Sequence, residues 1–191
     1  MSITKLTTNG LVGSKYDTVS ADNYYMEPIA TTLLTGTATT ITFSNIPQNY
    51  KNLQLRIMIL TNTSAVDAPY LRCNGDSGSN YTLHTLLGEG VSARSQGITS
   101  LTWINIGGFW NGTIGSNPSV SITDILDYTN PNKLKTIRTL AGQDNNSTLG
   151  SVGLGSGLWL NTAAITSLTI HLSGSTVFSA NSRFSLYGIK G

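Results

Sequence analysis

At 191 residues with 39% hydrophobic content, the chain makes one domain, or one domain with an extended arm, and carries enough apolar material for a core. Only 10% of residues are charged, so Thr, Ser, Asn and Gly must form the exterior, and eleven basic against nine acidic residues leave no basic block with which to neutralise phosphates. A single cysteine excludes an internal disulfide, and no run of 18 or more apolar residues or apolar signal region occurs, so we expect a soluble, unexported protein without nucleic-acid or membrane partners.

Residues 1–36 differ from the rest. They mix short polar runs with Lys15-Tyr16-Asp17 and an aromatic knot at Tyr24-Tyr25-Met26, and no period is long enough for an independent helix or strand. The simplest reading is an extended arm, reaching on the order of 120 Å at full stretch, with Tyr16, Tyr24, Tyr25 and Met26 as the side chains that would grip a neighbour. The alternative is that the segment folds back as an edge strand on its own domain.

From Thr37 to Gly191 the signal is β. Short runs rich in Thr, Ile, Leu, Val and Tyr alternate with Gly, Asn, Ser and Pro turns, which predicts strands near Thr37–Phe43, Leu53–Thr61, Tyr70–Cys73, Tyr81–Leu87 and Leu101–Ile106. Further strands are predicted near Val120–Tyr128, Lys135–Gln143, Ser151–Leu160, Ile165–Leu172 and Arg183–Ile189. Leu53, Leu55, Ile57 and Ile59 alternate with Gln54, Arg56 and Met58, the period-2 pattern of a half-buried strand, and Leu168, Ile170 and Leu172 repeat it. Asn74-Gly75 supplies the positive φ angles that tight hairpins need, and Pro47, Pro69, Pro118 and Pro131 fall in turns where no ladder needs their N–H. The predicted fold is all-β: an antiparallel β-sandwich of jelly-roll or lectin-like form over residues 37–191, preceded by the arm.

Candidate chemistry is sparse. His84 and His171 sit in strand patterns, where exposed or hydrogen-bonded structural roles are the ordinary case. Asp124 and Asp127, three apart on a strand, point to opposite faces and cannot flank one bond as a glycosidase pair does. No G-x-S-x-G elbow occurs, and no CxxC or Cys/His cluster accompanies Cys73. Gly153-Leu154-Gly155-Ser156-Gly157 lies in a strand pattern and lacks the Lys of a phosphate loop, so its glycines point to close packing or a bulge. The expectation is therefore no catalytic residue, no metal and no cofactor. Among the tryptophans, Trp103 and Trp159 read as core. Trp110, after Gly107-Gly108-Phe109, reads as an exposed anchor that could stack on a sugar ring beside Asn111.

The segments Ile41-Thr42-Phe43-Ser44-Asn45-Ile46-Pro47-Gln48-Asn49-Tyr50, Leu53-Gln54-Leu55-Arg56 and Leu71 to Tyr81 resemble recurrent patterns of tailed-bacteriophage virion proteins. Ala163-Ala164-Ile165-Thr166-Ser167-Leu168 and Phe184-Ser185-Leu186-Tyr187-Gly188-Ile189 do so too, and the resemblance spans about residues 38–191 in order. Cys73 stands where a Phe is expected. The resemblance implies a non-enzymatic structural part of the virion exterior. The favoured expectation is a capsid decoration, or cement, protein whose partners are the major capsid protein and copies of itself, a trimer among the options. The alternative is a tail-fibre or receptor-binding module recognising a host surface glycan through Trp110 and Asn111.

Overall fold

A computed structural model describes residues 25–62, 67–107, 117–144 and 150–191. Among the described residues twelve strands form two antiparallel sheets: β1 (Met26–Leu33), β2 (Thr40–Phe43), β3 (Asn52–Ile59), β4 (Tyr70–Cys73), β5 (Tyr81–Glu89), β6 (Ser92–Leu101), β7 (Ile104–Asn105), β8 (Ser119–Ile125), β9 (Lys135–Gln143), β10 (Ser151–Trp159), β11 (Leu168–His171) and β12 (Arg183–Ile189). The larger sheet runs β1-β12-β3-β8-β9-β10-β5-β6 and the smaller β2-β11-β4-β7. The opening strands β1 to β4 alternate between the two sheets, as do the pairs β7/β8 and β11/β12. The four-strand block β1-β12-β3-β8 facing β2-β11-β4-β7 thus has jelly-roll connectivity. Strands β9, β10, β5 and β6 extend the larger sheet.

The predicted alternation decides which side of each strand meets the core. Leu53, Leu55, Ile57 and Ile59 of β3 face inward against Leu168 and Ile170 of β11, Ile41 and Phe43 of β2, Leu71 and Cys73 of β4, and Phe184 and Leu186 of β12. Burying one such side chain stabilises by about 1.5–3 kcal/mol, and this layer holds the two sheets together. Trp159 lies in the core as expected. Trp103 does not: it is half-buried, its ring centroid 3.9 Å from that of Tyr70.

The boundary expected between arm and body at residues 36 and 37 is corrected. Met26–Leu33 is a strand of the larger sheet, paired along β12 from Met26↔Ile189 to Leu33↔Arg183. It is an edge strand because Pro28 has no N–H to donate, and the ladder shifts register between Pro28 and Ala30. Ile29 packs on the core and anchors it. Residues 1–24 lie outside the described residues.

The Gly-rich run proves to be strand β10, with its glycines turned inward. A Cβ on Gly157 would lie 2.7 Å from Ile104 of β7, so only glycine lets that short strand approach. The consequence is that Val152 and Leu154 project from the outside of the sheet.

Candidate contact surface

The segments 41–50, 71–81 and 163–168 meet at one end of the sandwich, where they hold one another in place. Asn74 and Gly75 adopt φ of 53° and 67°, and Asp76 N donates to Cys73 O at 2.9 Å, which closes the predicted turn. Asp76 is the loop's centre. Its carboxylate accepts from Trp159 Nε1 at 2.7 Å, Gly78 N at 2.8 Å and Asn80 Nδ2 at 3.0 Å, and the indole bond leads in holding its pKa below the ordinary Asp value. Tyr81 OH donates to Asp76 O at 3.0 Å. Asn74 Oδ1 accepts from Thr166 N and Ser167 N at 2.8 and 3.1 Å, while its Nδ2 donates to Ala164 O at 2.8 Å. Gln48 Nε2 donates to Ile165 O at 3.0 Å and Tyr128 OH donates to Pro47 O.

Below this clasp sits Lys135. Its side chain is buried, and its ammonium donates to the carbonyls of Lys133 and Thr162 at 2.8 and 2.9 Å and to that of Asn130. Burial pushes its pKa down, and Asp127 partly offsets this. The Cys73 thiol, fully buried, has its pKa pushed up by desolvation and behaves as an apolar core group.

The remaining candidates scatter. His84 is exposed on the outside of the larger sheet, its ring over Gly97, whereas His171 is on the smaller sheet, its ring centroid 5.6 Å from that of Tyr70. Asp124 on β8 accepts from Gln54 Nε2 at 2.8 Å. Asp127 lies past the strand's end at φ 47° and pairs with Lys51 and Lys133 at 2.8 and 2.7 Å, which lower its pKa to about 2. Tyr25 is exposed, and its carbonyl accepts from Lys190 N at 3.0 Å; Met26 is half-buried, its Sδ 3.7 Å from Arg56. Tyr16, Tyr24, Trp110 and Asn111 lie outside the described residues.

What the structure brings together instead is the outer face of the larger sheet. Cross-strand register sets Ile122, Leu140, Leu154 and Leu86 in one line across β8, β9, β10 and β5. Met58, Val120, Gly142 and Val152 form the adjacent line. The seven large apolar side chains of these two lines are each 36–57% exposed. Together they display about 600 Å² of apolar surface, the upper end of the usual largest patch on a monomer. A third line, Gln54, Asp124, Arg138, Ser156 and His84, borders them with polar groups.

The face is uneven. From β8 across β9, β10 and β5 to β6 runs a trough of about 810 Å³, lined by Ile122, Arg138, Leu154, His84 and Gly97 among others. Over β3 and β12 stand large side chains, with the Arg56 guanidinium 5.3 Å from the Tyr187 ring centroid.

This patch escapes a reading by strand periodicity alone. In β8 the inward positions before Ile125 are Ser119, Ser121 and Thr123, and in β10 those before Trp159 are Ser151, Gly153, Gly155 and Gly157, so along these stretches small residues occupy the core side while Val, Ile and Leu turn outward. The signal available was small residues recurring at one parity across neighbouring strands.

No family model, curated protein or solved structure matches the chain. No helix among the described residues is long and apolar enough to cross a membrane.

Proposed function

We propose that this chain is a non-enzymatic structural protein of a bacteriophage virion, and specifically a capsid decoration protein that binds over subunit junctions and stabilises the shell. The observation that carries this reading is the outer face of the larger sheet, with Ile122, Leu140, Leu154 and Leu86 in one exposed line. Such a surface favours burial in an assembly, which adds stability by mass action. The resemblance to virion proteins supplies the assembly, and the major capsid protein and further copies of the chain are its partners. Low charge and a hydroxyl-rich exterior suit a protein packed densely among neighbours.

The test is copy number by quantitative mass spectrometry of purified particles of the virus that encodes the chain. Hundreds of copies per particle are expected, and its absence from particles would overturn the reading. About a dozen to a few tens of copies would favour the tail-fibre reading, in which a host glycan is held by Trp110 and Asn111. One structural feature lends that second reading weight: the half-buried Trp103 and Tyr70 rings lie side by side on the outside of the smaller sheet.

A further inference from the structure

The lines of side chains on the larger sheet's outer face are arranged so that the face complements itself. The order β1-β12-β3-β8-β9-β10-β5-β6 has its midpoint between β8 and β9. A two-fold axis lying in the face, parallel to the strands and passing through that midpoint, lays β8 over β9 of a second copy, β3 over β10 and β12 over β5.

Four consequences follow from the observed register. Asp124 and Arg138 are direct cross-strand neighbours on β8 and β9, so the axis sets each Asp124 against Arg138 of the second copy, twice over. Ile122 likewise meets Leu140, apolar against apolar. Val120 meets Gly142, a projection against a recess, since a Cβ on Gly142 would have only Ser151 O, 3.5 Å away, within 4 Å. The ridge of Arg56 and Tyr187 on β3 and β12 comes over the part of the trough that Leu154, Ser156, Leu86 and His84 line on β10 and β5.

Area agrees with geometry. The apolar lines and their polar border together approach the roughly 800 Å² that each partner of a stable complex buries. Sheets packed this way sit about 10 Å apart with interdigitating side chains. A carbohydrate fits less well, because the trough is walled by Leu, Ile, Arg, Asp and His and offers no Trp, Tyr or Phe on which a sugar ring could stack.

We propose that two copies of this chain pair through the outer faces of their larger sheets about this axis, as an isologous dimer. The inference rests on reading that face as a contact surface, and it can fail while the virion assignment stands, because it concerns the purified chain in solution.

The test is sedimentation equilibrium of the full chain at concentrations up to about 100 µM, where a complex of micromolar Kd is formed. A mass of twice 20.3 kDa is expected. Gly142→Val fills the recess, where a Cβ meets only Ser151 O at 3.5 Å, and it should weaken pairing at least tenfold with an unchanged circular-dichroism spectrum and, at concentrations where both chains are monomeric, an unchanged melting temperature. Arg138→Asp should weaken it similarly, and the double change Asp124→Arg with Arg138→Asp should restore it, since the pairs are then reversed but intact. A chain that stays monomeric overturns the inference. So does association of any order that Gly142→Val and Leu140→Asp leave unchanged, because the contact would then lie elsewhere.

Discussion

Replacing Asp76 by Ala should destabilise the domain far more than its place in a surface loop suggests. Its carboxylate takes three donors, and the one from Trp159 Nε1 at 2.7 Å comes from a side chain only 1% exposed. A hydrogen bond to a charged group contributes about 1.5–3 kcal/mol, and the stranded indole donor adds desolvation cost. The bonds from Gly78 N and Asn80 Nδ2 are exposed and contribute less, about 0.5 kcal/mol each. The expected loss is about 2.5–4 kcal/mol, which lowers Tm by roughly 5–15 °C in a chain of this length. Asp76→Asn keeps an acceptor for the indole and should lose about half as much. Thermal and urea unfolding followed by tryptophan fluorescence measure both. A loss below about 1 kcal/mol for Asp76→Ala would refute the reasoning, because the loop would then be decoration and the clasp would be held by packing alone.

Lys135→Met preserves the buried stem but strips the donors from the Asn130, Lys133 and Thr162 carbonyls, and should cost about 2–4 kcal/mol in urea unfolding. Gly157→Ala brings a Cβ to 2.7 Å from Ile104 and should cost about 1–3 kcal/mol, whereas Gly142→Ala should be nearly neutral in the same assay. The Asp127 pKa is lowered to about 2 from an ordinary 3.8, so its contribution is complete above the ordinary value and is lost as pH falls toward 2; melting temperature should drop over that interval more in the native chain than in Asp127→Asn. A chain beginning at Thr37 loses β1 and the Ile29 contact and should melt at least several degrees lower than the full chain.

The sandwich is legible wherever one side of a strand is apolar and the other polar. Leu53 to Ile59 and Leu168 to Ile170 announce both their conformation and their buried side, and Lys135–Gln143 and Arg183–Ile189 match their predicted bounds. Strand β6 carries no such pattern, because its residues from Ser92 to Gly97 are exposed on both sides of an edge strand. Strand β1 is obscured by Pro28 and a register shift. The apolar outer face is hidden for a different reason: in β10 the glycines that admit β7 take the core side, so Val152 and Leu154 have the composition of core residues and the position of surface ones. Period-2 alternation gives two faces but not which of them is covered, and that depends on the partner sheet.

On the proposed reading the chain acts through contact, and assembly covers the outer face of its larger sheet. Hydroxyl-radical footprinting of the chain in intact particles tests this most directly. Met58, Ile122, Leu140, Leu154 and Leu86 should be labelled several-fold less than their 36–55% exposure in the isolated chain implies. Labelling at the level that this exposure dictates, with protection elsewhere on the domain, would contradict the account.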